Sequence, residues 1–280
     1  MTLQNKRFRF SPSMLFDYCI LLLGAGIMIL PFFWMVCTSF KTFQETFKLP
    51  IAWLPETLSF ANYQTVLEKM NFALFYKNTI LVAVCITVGQ IILASLAAYA
   101  FARMHFPGRD ILFFCLLTVF MVPGQMTLIP KFLLVKNLGW LDTFAALIVP
   151  GLFSVYSTFF LRQYFKTLPN ELEDSAKIDG CSYLRTFWSI MLPLCKNAII
   201  ALSIFSVLGA WNDLVWPLIV TTGESKRVLS VAMATLQGQY STKNNLLMAA
   251  SVLSTAPMMV LFAIGQKQII SGIAVSGIKG

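Results

Sequence analysis

Charged residues are scarce in this sequence. Asp, Glu, Lys and Arg together make up 12% of the 280 residues, whereas 58% are hydrophobic and the mean hydropathy is +0.74. A soluble domain carries roughly 25% charged residues. The composition therefore excludes an ordinary soluble domain and predicts an integral membrane protein with little mass outside its spans.

Side chains suited to catalysis or metal binding are also scarce. The sequence has a single histidine, His105, no C-x-x-C pair among its six cysteines, and no G-x-x-x-x-G-K-[ST] phosphate loop. We therefore predict no catalytic residue, no metal site and no cofactor bound by this chain. The net charge of +9 is spread among loops without a basic and aromatic patch. This favours anchoring to membrane lipid and argues against nucleic acid as a partner.

Six apolar segments are long enough to cross a membrane. They predict an all-α, polytopic membrane helical bundle that forms a single domain over residues 1–280. The predicted spans are residues 15–38, 77–101, 111–130, 141–161, 198–220 and 247–270. Lys and Arg near the span ends, above all the KRFR segment at the N-terminus, predict that both termini are cytoplasmic. The segment 162–197 would then lie on the cytoplasmic side of the membrane.

Two of these spans contain residues that are unusual within a membrane helix. Pro123 and Gln125 interrupt the third span, where freed backbone groups need a neighbouring helix or a water-filled cavity. Trp211, Asn212 and Asp213 lie in the fifth span, and an acid at this depth is a candidate functional group. We predict that these five residues serve either a polar pathway or helix packing.

The segment between the fourth and fifth spans is polar and reads PNELEDSAKIDGCSYLRTFWSIMLP. Asn170 is predicted to cap a first short helix, with Glu173 three residues on as in a capping box. Asp179-Gly180 predicts a turn, and a second short helix follows. A helix lying on the membrane surface would favour Lys and Arg on its polar face. The near balance of acidic and basic residues here instead favours docking of a protein partner.

The spacing in this segment resembles that of a known motif. The segment reads D-S-A, three residues, Gly180, nine residues, then I-x-L-P. The cytoplasmic coupling loop of ATP-binding-cassette importer permeases has E-A-A, three residues, G, nine residues, I-x-L-P. Asp174 stands where Glu is usual and Ser175 where the first Ala is usual. Shorter matches elsewhere, including A-F-A-R at 100–103, extend the likeness to nearly the whole chain. They resemble the carbohydrate subgroup, which includes the second six-span permease of the maltose system.

The resemblance implies a permease subunit of an ATP-driven, binding-protein-dependent carbohydrate importer. Its partners would be a second homologous permease, two ATPase subunits that carry ATP and magnesium, and an extracellular or periplasmic sugar-binding protein. ATP hydrolysis would belong to the separate ATPase. The implied ATPase-coupling residues of the loop, about 166–196, are Glu171, Asp174, Ser175, Ala176, Asp179, Gly180, Ile190 and Pro193. At the C-terminus, Lys279 and Gly280 would contact the ATPase.

The segment 223–240 contains an apolar run within an otherwise polar stretch between two spans. We predict that it contacts the sugar-binding protein through Ser225, Val228, Leu229 and Thr235. The alternative is that the apolar run packs beside its own spans.

Three other functions are alternatives to the importer. A permease for another solute class, such as glycerol phosphate, would have the same motifs. An ion-coupled secondary transporter would need buried acids or broken helices in paired halves, and few intramembrane charges are present. A membrane enzyme would need a catalytic set of side chains that this sequence does not contain.

Overall fold

The computed structural model describes the backbone of residues 12–240 and 243–277 and the side chains of residues 14–240 and 243–266. In these ranges every regular element is a helix, which confirms the predicted all-α fold class. The α-helices, numbered in chain order, are α1 (Pro12–Ser39), α2 (Ala61–Lys69), α3 (Phe72–Arg103), α4 (Arg109–Val119), α5 (Leu128–Asn137), α6 (Phe144–Ile148), α7 (Val155–Thr167), α8 (Glu171–Ile178), α9 (Tyr183–Thr186), α10 (Leu192–Leu194), α11 (Lys196–Asn212), α12 (Val215–Val220), α13 (Leu229–Gln239) and α14 (Asn244–Gly277). Shorter 3-10 helices lie at Gln44–Phe47, Gly124–Thr127, Val149–Gly151 and Glu224–Lys226, and a π-helical turn lies at Phe187–Met191. Lys279 and Gly280 lie outside the described residues.

Helices long and apolar enough to cross a membrane confirm the prediction of a polytopic protein. Four single candidates lie within the described residues, at Met14–Ser39, Phe72–Arg103, Phe144–Thr167 and Asn244–Gln266. Two bent pairs raise the number to six if each pair crosses as one span. The orientation of the termini stays a prediction.

The chain divides into two compact units, so the single domain predicted over 1–280 stays a prediction. The first unit comprises residues 1–70 and 236–254. Its polar centre is Asn62, a buried residue of α2. The Asn62 amide donates to the carbonyls of Ser39 and Lys41, at 2.8 and 2.7 Å, and accepts from Nδ2 of Asn245 at 2.7 Å. These bonds hold the end of α1 and the beginning of α14 against α2.

The second unit comprises residues 71–235 and 255–280 and is organised around α3. α3 packs along α7 and α11. One buried cluster near the C-terminal end of α3 contains Ala94, Ala98, Tyr99, Leu161, Phe165, Phe187, Met191, Cys195, Ala198 and Leu202. A second cluster, toward the other end of α3, contains Val82, Val135, Ala146, Leu147, Trp216, Val220, Val228 and Val231. Within the second unit, α3 thus runs between the polar loop at 170–193 and residues 223–235.

The third predicted span, residues 111–130, is not a straight helix. α4 ends at Val119, and the helix over Gly124–Asn137 lies at 92° to it. Pro123 lacks the N–H that would donate to the Val119 carbonyl, which accepts instead from the Val122 N–H at 3.2 Å. The proline therefore produces the kink that its position suggested.

The fifth predicted span, residues 198–220, is also divided in the structure. α11 ends at Asn212, and Asp213 is extended, with ψ at 115°. Pro217 has no N–H for the Asp213 carbonyl, and the Ser230 hydroxyl donates to that carbonyl instead, at 2.6 Å. The prediction of one helix over 198–220 was wrong because hydropathy does not report this exchange of hydrogen-bond partner.

Candidate coupling loop

The loop at 170–193 has the predicted form of two short helices joined by a bend. Gly180 follows α8 with φ at +74°, a conformation that costs glycine little. Its N–H donates to the Lys177 carbonyl at 3.0 Å, and the Cys181 N–H donates to the Ala176 carbonyl at 2.9 Å. This pair of bonds is a Schellman motif, which ends α8 and turns the chain. The Ser182 hydroxyl then caps α9 by accepting from the Arg185 N–H at 3.4 Å.

The beginning of α8 differs from the prediction. Asn170 is the residue before α8, but its side chain accepts no bond from the helix backbone. The Asn170 amide oxygen accepts instead from Nη1 of Arg103, at the C-terminal end of α3. Nη2 of the same guanidinium donates to the carbonyls of Phe165 and Leu168, at 2.5 Å each. The expected capping box is therefore replaced by a long-range contact with Arg103.

Arg103 also faces the carboxylate of Glu173. Arg103 Nε lies 3.9 Å from Glu173 Oε1, and the two side chains are only 6% and 11% exposed. Within the part of the chain that the structure describes, neither of these two atoms has a hydrogen-bond partner, so their attraction is electrostatic. The same carboxylate also interacts electrostatically with the Tyr99 side chain. Arg103 thus fixes α8 to the end of α3 through charge and through the backbone carbonyls that precede the helix.

The exposed face of the loop combines acidic and apolar side chains. Glu171, Asp174, Ser175 and Asp179 are exposed, as is Pro193, and Ile190 is half-buried. Ile178 has 86% of its surface exposed, and Tyr183, Leu184 and Trp188 are also exposed. Large apolar side chains that stay exposed together indicate an interaction surface.

Ala176 was wrongly placed on that surface. Its side chain is buried, together with Phe187 and Met191 of the second helix. Ala176 is therefore shielded from a partner by its own chain, whereas Ser175 is exposed.

Within the second unit, residues 222–229 are held in place by polar contacts. The Asn78 amide donates to the carbonyls of Ser225 and Arg227, at 3.0 and 2.9 Å. The Thr79 hydroxyl accepts from the Leu229 N–H at 2.8 Å. Oδ1 of Asp142 accepts from the N–H groups of Thr222 and Gly223, at 3.1 and 3.0 Å.

These contacts correct part of the prediction for that segment. Val228 and Leu229 are buried among the chain's own helices, with Leu229 only 1% exposed, so they are not available to a binding protein. The apolar run packs into the core of the second unit through Val228 and Val231. Ser225 is exposed and Thr235 half-buried, and their contact with a binding protein stays a prediction.

The remaining predicted residues lie in two places. Asn212 and Asp213 line a cleft of about 480 Å³ between α3, α7 and α11. Trp211 is buried, with its ring 6.2 Å from that of Tyr76, which favours helix packing. Pro123 and Gln125 are exposed and do not line this cleft.

Comparison with known proteins agrees with this arrangement. Residues 90–275 match a family described as "binding-protein-dependent transport system inner membrane component". The arabinooligosaccharides transport system permease of Halalkalibacterium halodurans is 32% identical over 259 residues, covering 91% of this chain and 93% of that protein. The sn-glycerol-3-phosphate transport system permease of Salmonella choleraesuis is 31% identical over 270 residues, covering 92% and 95%. A chain from the crystal structure of a bacterial ABC transporter that imports the acidic polysaccharide alginate has a TM-score of 0.82 at 22% identity, covering 93% of this chain and 99% of that chain.

Proposed function

The chain belongs to the family of binding-protein-dependent transport system inner membrane components, and on this premise we propose that it is the permease subunit of an ATP-driven carbohydrate importer. A second, homologous permease would complete the pathway, and two cytoplasmic ATPase subunits would supply the energy. An external binding protein would deliver the sugar. The relatives named for arabinooligosaccharide and glycerol-phosphate transport support the general class and leave two substrate chemistries to test.

The observation that carries this proposal is the construction of the loop at 170–193. It is anchored at its base by hydrogen bonds from Arg103, bent at Gly180, and exposed along a face that includes Asp174 and Ile178. A loop fixed to the end of α3 transmits a displacement to the transmembrane helices as one body. ATP binding on a docked partner would thereby shift the equilibrium between inward- and outward-open states.

The energy source and the substrate class can be tested together in proteoliposomes. The complete transporter is reconstituted with its binding protein and offered arabino-oligosaccharide or sn-glycerol 3-phosphate. We expect uptake of the sugar that requires ATP on the ATPase side and does not respond to a proton or sodium gradient. Uptake driven by an ion gradient without ATP would contradict the proposal, and uptake of glycerol phosphate alone would replace carbohydrate by that solute.

Reversal of the charge at Asp174 should separate transport from ATP hydrolysis. Asp174 is exposed, and its ion pair with Lys177, at 3.5 Å, is a surface pair that contributes at most about 1 kcal/mol to stability. We therefore expect Asp174→Lys to fold and insert normally but to lower uptake about tenfold, because a cation would face the cationic groups we expect on the ATPase. Uptake and the amount of co-purified ATPase are measured together.

The matched controls for this variant introduce the residues that are usual at these positions of the motif. Asp174→Glu keeps the charge, and Ser175→Ala removes only a hydroxyl that donates to the Glu171 carbonyl of its own helix, at 2.8 Å. Both should transport within about twofold of wild type. Normal uptake by Asp174→Lys would remove Asp174 from the docking surface.

Contact with the binding protein can be tested on the segment 223–240. Single cysteines at exposed Ser225 and at half-buried Thr235 should crosslink to the binding protein during turnover. Val228→Cys serves as the control because that side chain is buried, so it should remain unreactive. If Ser225→Cys and Thr235→Cys crosslink only to lipid probes in every nucleotide state, this segment does not contact the binding protein.

A further inference from the structure

The cleft between α3, α7 and α11 is lined by apolar side chains, such as Ile86 and Phe205, and by several polar ones. Gln90 lies near the middle of α3, and Ser206 lies on α11. Ser157 and Asn212 add a hydroxyl and an amide, and Tyr156 adds an aromatic ring. Polar groups at this depth are costly in lipid, so they mark a path that polar solutes or water enter.

Gln90 is oriented by a short chain of hydrogen bonds. Its Oε1 accepts from the Ser206 hydroxyl at 2.5 Å, and the Thr87 hydroxyl donates to Ser206 Oγ at 3.1 Å. Thr87 is buried and does not line the cleft. Among the described residues, Nε2 of Gln90 donates to no protein acceptor. The chain therefore fixes the amide while leaving a donor for a further acceptor.

Gly209 provides open space in the same cleft. It lies within α11, where glycine destabilises a helix relative to alanine. A Cβ at this position would meet no atom within 4 Å. The residue thus leaves room rather than packing against a neighbouring helix. The cleft volume of about 480 Å³ lies within the range of about 300–1,000 Å³ that is common for small-molecule sites.

The charge of the lining favours an uncharged ligand. Asp213 supplies the carboxylate at the cleft, and none of the described residues that line it is Lys or Arg. Lys131, which interacts electrostatically with Asp213, does not line the cleft. Amide and hydroxyl groups beside an aromatic ring match the hydroxyls and the apolar faces of a sugar.

We propose that this cleft is a sugar-contact site contributed by this subunit, in which Gln90 and Asn212 bind hydroxyls of an uncharged oligosaccharide beside Tyr156. The assignment rests on the proposed carbohydrate import and goes further, because it gives this chain a direct part in recognition. It also predicts that neutral sugars are preferred over sn-glycerol 3-phosphate, whose charge would face Asp213.

The space at Gly209 provides the first test. In the complete transporter in proteoliposomes, Gly209→Phe should fill the cleft and lower the uptake of arabino-oligosaccharide at least about tenfold, while the ATPase still co-purifies. Gly209→Ala should cause a smaller loss, as expected of a steric effect. Gly26→Phe is the matched control because Gly26 is also a helical glycine with no atom within 4 Å of its added Cβ, but it lies on α1. That control should transport normally.

Gln90 provides the second test, which does not depend on steric bulk. Gln90→Leu removes the donor, and loss of one hydrogen bond to the sugar should reduce uptake about 5- to 10-fold. The reduction should differ between arabinobiose and arabinotriose, because a contact site recognises particular hydroxyls. Thr87→Val removes the far end of the same chain of bonds and should lower the uptake of both sugars to the same, smaller extent.

The outcomes separate the two proposals. Wild-type uptake by Gly209→Phe and an unchanged sugar ratio in Gln90→Leu would overturn the cleft assignment and leave the importer intact. If Gly209→Phe fails to assemble, the sugar ratio in Gln90→Leu decides. If the wild-type transporter takes up neither arabino-oligosaccharide, the proposed function fails, and the sugar-contact site fails with it.

Discussion

Replacement of Arg103 by alanine is expected to lower ATP-driven uptake about 100-fold while the protein still inserts into the membrane. The guanidinium donates hydrogen bonds to the Asn170 side chain and to the carbonyls of Phe165 and Leu168. It also faces the buried carboxylate of Glu173. Removing one member of a buried charge pair costs about 3–5 kcal/mol. Each 1.4 kcal/mol corresponds to a tenfold change in an equilibrium, so α8 would spend little time in its docked position.

Two controls distinguish this effect from a general loss of positive charge. Arg103→Lys keeps the positive charge, but its ammonium lacks the planar guanidinium that donates to several acceptors at once. Uptake by this variant should therefore lie between that of wild type and that of Arg103→Ala. Arg109→Ala removes an arginine whose partner Asp110 is exposed, and such surface pairs contribute about 0–1 kcal/mol. Its uptake should be close to normal. Normal coupling in Arg103→Ala would show that the end of α3 does not position the loop.

The second large effect is expected at Gly180. Proline has φ near −65° and no N–H, whereas Gly180 has φ at +74° and donates to the Lys177 carbonyl. Gly180→Pro therefore breaks the bend between α8 and α9, and we expect uptake to fall at least about tenfold, with loss of ATPase co-purification. Gly180→Ala retains the N–H, but a left-handed conformation costs alanine about 1–2 kcal/mol. This variant should therefore show an intermediate loss of uptake.

Gly139 offers the matched backbone control. Its φ is +68° and its Cβ position is also open, but it lies in the turn after α5, outside the loop. Gly139→Ala should carry a similar conformational cost without reducing uptake. If Gly139→Ala and Gly180→Ala lose uptake equally, the effect reports general stability and not the geometry of the loop.

The bend of the loop could be predicted from sequence because it depends on local chemistry. Asp179-Gly180 supplies the positive φ, and Ser182 caps the next helix, so neighbouring residues determine the turn. The kink at Pro123 follows similarly from a missing N–H, whereas the break near Pro217 divides a stretch that the sequence predicted as one span. The end of α11 could not be predicted from the sequence, because the Asp213 carbonyl accepts a hydrogen bond from the hydroxyl of Ser230, on another part of the chain.

The contacts that support the loop could not be read from the sequence. Arg103 and Asn170 are 67 residues apart, and nothing local indicates that the arginine displaces the expected cap. Apolar residues such as Val228 look the same whether they face a partner or complete a core, so burial was needed to decide between them. Gln90 and Ser206 could have been identified from the sequence, because each is a polar residue within an apolar span.

A photo-crosslinking residue at Ile178 tests the docking of an ATPase on this permease most directly. Ile178 is the most exposed large apolar side chain of the loop and lies next to the bend. In cells that express the complete transporter, the probe at Ile178 should crosslink to a polypeptide that contains the ATP-binding phosphate loop. The same probe at Ile111, an exposed position on α4, should not. Crosslinks from Ile178 to lipid alone, with no ATPase in the presence or absence of ATP, would contradict the assignment of residues 170–193 as the coupling loop.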